Sequence, residues 1–189
     1  MIIDLTTTVS KLHTKKAMEN EKMVSFGHLG THFDIMNKEF PLEYLKRNAI
    51  VFNVSKVIDR DIDIEDINLS LIEENMFVSF YSNFIESVEY GSKQYFTDHP
   101  QLSNRLIDQL LKKGISIIGI DFAGVRKGKE HTPKDQECAD KNVFIVENLC
   151  NLNKILKNQS SMCFIAHTYP IKFKGLTGLP CRVVGELYE

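Results

Sequence analysis

Residues 103–121 read SNRLIDQLLKKGISIIGID, and the spacing of their apolar residues changes partway along. In the first part Leu106, Ile107, Leu110 and Leu111 fall on one side of a helix of about 3.6 residues per turn. Ser103 is a natural N-cap, since its hydroxyl can accept from a free backbone N–H. Gly114 is a natural stop, since it tolerates the left-handed turn that ends a helix. ISIIGID then runs apolar without alternation, as in a strand covered on both faces. The pattern repeats: residues 132–140 predict a second helix and residues 143–148, VFIVEN, a second buried strand. Helix, strand, helix, strand predicts parallel pairing and an α/β fold.

Outward from this block, further strands are predicted at residues 1–6, 49–54 (AIVFNV), 76–81 (MFVSFY), 162–166 and 182–187. Residues 23–26 read as a strand running into a histidine-rich segment, and residues 11–22 as a polar surface connection. Residues 41–46 predict a short helix opened by Pro41. Residues 59–74 are acidic, with short helical or extended pieces. Residues 82–100 form a long connection rich in turn residues, a feature that usually carries function or an interface. The sum is one domain, residues 1–189, of α/β class with a mixed sheet.

The chain's 189 residues suit a single domain with a core large enough to need no staples. A net charge of −2 offers no basic field for nucleic acid and no polybasic patch for lipid headgroups, so neither partner is expected. Cys138, Cys150, Cys163 and Cys181 form no CxxC pair and read as reduced thiols of the core. The opening MIIDLTTTVS carries Asp4 and has no long apolar centre, unlike a signal peptide. No run approaches the roughly 18 apolar residues of a membrane span. A cytoplasmic protein is the expectation.

Chemistry concentrates in residues 27–34, GHLGTHFD. A straight strand would separate His28 from His32 by roughly 13 Å, too far for one cation. A regular helix would align the two histidines but turn Asp34 about 160° away from His32. The segment is therefore expected to curl at Gly30, where a positive φ costs little. Two imidazoles and a carboxylate on one bend suit zinc, manganese or ferrous iron. The competing reading is a satisfied histidine pair with no ligand.

GHLGTHFD resembles the HxGTHxD signature of the cyclase family, metal-dependent hydrolases of the kynurenine formamidase and isatin hydrolase type. Counterparts of other family segments run almost end to end: IIDLT at 2–6, YFTDHPQLS at 95–103, GIDF at 119–122, IVENLCNL at 145–152 and YPIKFKGLTGLPCRVV at 169–184. The resemblance implies a barrel-like swivelling β/β/α domain and a divalent metal, zinc or manganese. It implies a small-molecule amide substrate, such as an aryl formamide or a cyclic amide, and a homodimer or homotetramer. By resemblance His28, His32, Asp34 and Glu147 are metal ligands. Physics agrees for Glu147, which ends a buried strand where a carboxylate is costly unless paired or coordinated.

The chain departs from the family pattern at two places. The third histidine of the signature, the family's general acid or base, falls at Lys38, and the proline before it at Met36. Lysine's ordinary pKa of about 10.4 suits that role poorly. A second-metal histidine of the family falls at Asp135, and His131 lies one helical turn before it. His131 is the first candidate for the catalytic proton, with Lys38 and Asp135 behind it. His99 and Phe96, from the long connection, are candidates for substrate binding; with no Trp in the chain, aromatic stacking falls to Phe or Tyr. Asp121, ending a strand, is a candidate to orient a site group. Capping, surface and turn roles compete for each of these residues. No P-loop, GxGxxG or GxSxG occurs. The expected function is metal-dependent hydrolysis of a carbon–nitrogen bond. The alternatives are a metal-binding sensor that lost turnover with the third histidine, and a structural protein whose histidines are incidental.

Overall fold

The computed structural model describes residues 1–188. Among them the strands are β1 (Ile2–Asp4), β2 (His32–Asp34), β3 (Lys46–Asn53), β4 (Phe77–Tyr81), β5 (Ile117–Ile120), β6 (Phe144–Glu147), β7 (Ser161–Pro170) and β8 (Gly178–Glu186). The helices are α1 (Lys11–Ala17), α2 (Glu21–Val24), α3 (Phe84–Ser87), α4 (Lys93–Thr97), α5 (Asn104–Lys112), α6 (His131–Asp140) and α7 (Leu152–Leu156). The run β3–β4–β5–β6 is parallel, as the apolar strands predict, and β2, β7 and β8 pair antiparallel. Because β7 also pairs with β8, the order β8-β2-β6-β5-β4-β3-β7 returns to its start and closes a seven-stranded barrel. β1 lies outside this ring, on β8.

Alternation along each strand sorts the core into two layers. Ala49, Val51, Phe77, Ile117, Phe144 and Val146 belong to the barrel interior, with Phe33, Phe164 and Val183. Helix α7 plugs the barrel with Leu152, Ile155 and Leu156. The intervening residues Ile50, Phe52, Val78, Phe80, Ile118, Ile120 and Ile145 face outward. There they meet Leu106, Ile107 and Leu110 of α5 and Cys138 of α6. The strands are thus covered on both faces, but the inner cover is the barrel's own filling. Ser103 caps α5 by accepting from the Leu106 N–H at 3.0 Å, and Gly114 follows it at φ +66°.

Three local expectations give way. Residues 11–24 are not a connection and a strand: Ser10 caps α1, and α2 occupies the start of the expected strand. A polar sequence hides a helix when its apolar face is as narrow as one buried residue, Ala17. Of the cysteines only Cys138 and Cys181 are core; Cys150 is half-buried and Cys163 exposed. Asp121 orients no ligand. It accepts from the Ser82 and Asn83 backbone N–H groups and the Ser82 hydroxyl at 2.6–3.0 Å, pinning the start of the long connection.

Burial pushes the Asp121 pKa from 3.8 up to about 7 against those donors. Between these values the native state keeps a proton that the unfolded chain has released, so stability falls as pH rises through that interval. Urea denaturation at pH 5 and 7.5 reads this loss, and Asp121→Asn is expected to flatten it. Gly119 faces the barrel interior, where an added Cβ would lie 2.7 Å from Phe77 Cζ and 2.8 Å from Leu149 Cδ1. Gly119→Ala is expected to destabilise by about 1–3 kcal/mol through overpacking, measured by the same denaturation.

Candidate metal centre

Strand register builds the site. His32 on β2 stands directly opposite Glu147 on β6, and Asp34 opposite Ile145. Cross-strand partners share a face. Phe33 and Val146 point into the barrel, so His32, Asp34 and Glu147 all project outward, into the gap under α6. From α6, His131 and Asp135 project into that gap at i and i+4, 3.1 Å apart. The site therefore lies between the barrel wall and one covering helix.

His28 reaches it through a turn rather than a strand. Gly27 and Gly30 both have positive φ, +82° and +69°, and fold residues 27–31 back on themselves. The curl lies ahead of β2, which leaves His32 and Asp34 on one side of a short extended segment. His28 Nδ1 comes within 3.1 Å of Asp34 Oδ1, and the two imidazole centroids lie 4.9 Å apart. Gly27 is indispensable to this approach: a Cβ there would sit 2.1 Å from the Gly178 carbonyl oxygen. That contact brings Thr177 Oγ1 within 2.9 Å of His28 Nε2.

The ring nitrogens are assigned by their outer partners. The Gly30 carbonyl can only accept, so His32 Nδ1 donates to it at 2.9 Å, leaving a lone pair on Nε2. That Nε2 lies 3.7 Å from Asp34 Oδ1 and 3.6 Å from Glu147 Oε2. Glu147 Oε1 lies 3.5 Å from His131 Nε2. His28, His32 and Asp34 each present a ligand atom within 4.8 Å of the others, and Asp34, His131 and Asp135 do the same. Asp34 is common to both groups.

Five buried side-chain polar atoms among the described residues lack a hydrogen-bond partner, and four are His32 Nε2, Asp34 Oδ2, Asp135 Oδ1 and Glu147 Oε1. Each such atom costs about 1–3 kcal/mol, so their concentration here is the mark of a missing partner that accepts lone pairs. Imidazole nitrogens and carboxylate oxygens are the donor set of zinc, manganese or iron, and these residues fit a divalent cation. Charge agrees. Burial, then the Asp34 and Asp135 carboxylates, push the Glu147 pKa well above its ordinary value. Burial pushes Asp135 up to about 6. Burial raises Asp34 too, but its hydrogen bond to His28 and the neighbouring imidazoles outweigh this and hold it low. Burial lowers the His32 pKa against the opposing pull of the Asp34 carboxylate.

Other residues singled out in the sequence are placed elsewhere. Lys38 Nζ lies 2.7 Å from Asp140 Oδ1 at the far end of α6, a surface ion pair that draws it away from the ligands. His99 is 2% exposed, stacked on Phe122 with centroids 5.9 Å apart, and its Nδ1 donates to the Pro100 carbonyl at 2.7 Å. Burial lowers its pKa to about 4, and it is packed core rather than pocket wall. Phe96 lines a cavity of about 220 Å³ with Tyr90, His13 and Met23. Sequence reasoning missed Thr177, Gly124 and Asn148. Gly124, at φ +94°, leaves room for the His131 ring, which a Cβ would approach to 2.7 Å. Only its glycine identity could have signalled this.

A family model described as Cyclase matches residues 3–126. No curated protein matches the chain. Among solved structures, the chain is similar to a potential metal-dependent hydrolase with cyclase activity, at 23% identity and a TM-score of 0.74, covering 98% of this chain and 96% of that one. Isatin hydrolase A from Labrenzia aggregata matches at 17% identity and a TM-score of 0.72, covering 98% and 93%. Isatin hydrolase A from Ralstonia solanacearum matches at 16% and 0.73, covering 98% and 91%. At these identities the likeness shows a shared fold. No described helix is long and apolar enough to cross a membrane.

Glu147→Gln removes a carboxylate that burial and two neighbours disfavour. The variant is expected to melt at the same or a higher temperature than wild type without metal. Its melting temperature should rise less on adding zinc or manganese, because affinity falls about tenfold or more. Thermal melts with and without metal check both halves.

Proposed function

The chain belongs to the Cyclase family, and we propose that it is a metal-dependent hydrolase cleaving a carbon–nitrogen bond in a small amide, an aryl formamide or a cyclic amide. The observation that most supports this is the cluster of unpartnered buried polar atoms on His32, Asp34, Asp135 and Glu147. In this reading His28, His32 and Asp34 hold a zinc or manganese ion, with Glu147 beside them. Such a cation supplies Lewis acidity, acidifying water toward neutral pH and polarising the scissile carbonyl.

The chain's own groups supply the rest. His32, Asp34 and Glu147 are at most 4% exposed and keep one side of the reacting centre dry. His131 is the group with access to both sides: its side chain is 35% exposed, yet its Nε2 lies 3.1 Å from Asp135 Oδ2. Asp135 orients that ring and stabilises its protonated form. His131 then donates the proton that the nitrogen needs as the C–N bond breaks, taking over from the family's third histidine. Lys38 is held by Asp140 and plays no part in this step.

One observation favours a second reading. With Lys38 paired to Asp140, its side chain does not replace the third histidine at the ligands. A metal-binding sensor that retains its ligand but does not turn it over is consistent with that. In either reading the partner is a small-molecule amide, and a cytoplasmic homodimer or homotetramer is part of the proposal.

The purified protein, supplied with zinc or manganese, is assayed against formyl-aryl amines and cyclic amides. Turnover is expected, and His32→Ala should lose metal and activity together. His131→Gln should keep its metal while kcat drops by about 10²–10⁴. Full activity in metal-free His32→Ala would end the metal-dependent reading; tight binding without turnover in the wild type would favour the sensor.

A further inference from the structure

We infer that Asn148, itself oriented by Tyr95, is a positioning residue for His32: its amide fixes the Gly30 carbonyl that selects the imidazole tautomer. This rests on the metal-site reading above. The Gly30 carbonyl accepts two bonds, one from His32 Nδ1 and one from Asn148 Nδ2, each at 2.9 Å. The Asn148 amide has a defined sense because its Oδ1 accepts from the Tyr95 hydroxyl at 2.8 Å. An amide turned over would set an oxygen against the Gly30 oxygen and waste the Tyr95 donor. Gly30 is gripped on its other side as well, its N–H donating to the Tyr90 hydroxyl at 2.7 Å.

The network is buried: Tyr95 is fully enclosed, Asn148 is 2% exposed, and the Tyr90 and Tyr95 rings meet edge to face at 5.3 Å. Asn148 directly follows Glu147, and its own carbonyl accepts from the Thr7 and Thr31 hydroxyls at 2.6 and 2.8 Å. One residue therefore couples the end of β6, which carries one candidate ligand, to the turn that carries His28 and leads into His32 and Asp34. Its φ of +59° is a left-handed conformation that asparagine tolerates and most residues resist. The tautomer matters because a proton on Nδ1 leaves the lone pair on Nε2, the atom facing Asp34 and Glu147.

Three variants isolate the amide. Asn148→Gly keeps the left-handed backbone without steric strain. Asn148→Asp replaces the donor facing Gly30 by an oxygen, and Tyr95→Phe removes only the hydroxyl that orients the amide. Cobalt or zinc affinity is measured by competition titration, and the His32 tautomer by ¹⁵N chemical shifts of the metal-free protein. Affinity is expected to fall about 10–100-fold in both Asn148 variants and less in Tyr95→Phe. The wild-type His32 should carry its proton on Nδ1, and the variants should populate both tautomers. Lower melting temperatures with unchanged affinity and an unchanged tautomer would reduce Asn148 to a structural residue and overturn the inference. Failure of the wild type to bind any metal would instead overturn the metal-site reading, and the tautomer measurement would still decide this one.

Discussion

Three carboxylates, Asp34, Asp135 and Glu147, are each at most 4% exposed and stand around one narrow gap. Like charges in a dry space repel, and each has lost water it would otherwise hold. Imidazoles from His28, His32 and His131 relieve part of this, at separations of 3.1–3.7 Å. Most of these separations are too long for good hydrogen bonds. A polypeptide keeps such an arrangement only if the surrounding structure imposes it, and much of the architecture can be understood as that imposition.

The imposing parts are the antiparallel pairing of β2 with β6 and the closure of the barrel behind it. A one-residue slip in that pairing would send His32 and Asp34 into the barrel and Phe33 outward. β2 has only three residues, but both of its edges are paired, to β6 and to β8. Phe33, fully buried inside, locks the register by packing against Phe40 at 4.7 Å. On β2 and at the end of β6, Phe33 and Val146 therefore face the barrel interior while His32, Asp34 and Glu147 face the gap under α6. The candidate ligands share that outer face with a second apolar cluster, which includes Ile145 of β6 and Cys138 of α6.

The parts of this design legible in the sequence were those with a long, repeated signal. Residues 103–148 carry caps, a helical stripe and two apolar runs, and they fold as read. Glu147 was legible because a carboxylate closing VFIV has few inexpensive fates. The resemblance in GHLGTHFD pointed to the candidate ligands, and the geometric objection to a straight strand anticipated the turn ahead of His32. β2 itself was not legible, since three buried residues show no periodicity. The pairing of Lys38 with Asp140 depends on where α6 ends relative to the chain after β2, and local sequence says nothing of that. Thr177 touches His28 across 149 positions through a glycine-to-glycine contact, which no spacing rule reports.

Closure of the ring also governs how the molecule behaves toward its own copies. Sheet edges recruit other chains because they offer rows of unsatisfied N–H and C=O groups. Here β1, three residues long, lies outside the ring, with Asp4 paired to Arg182 and its carbonyl capped by the Asn151 amide. Little backbone is left to template a fibril. Backbone pairing at a sheet edge therefore offers a second copy of the chain little to hold.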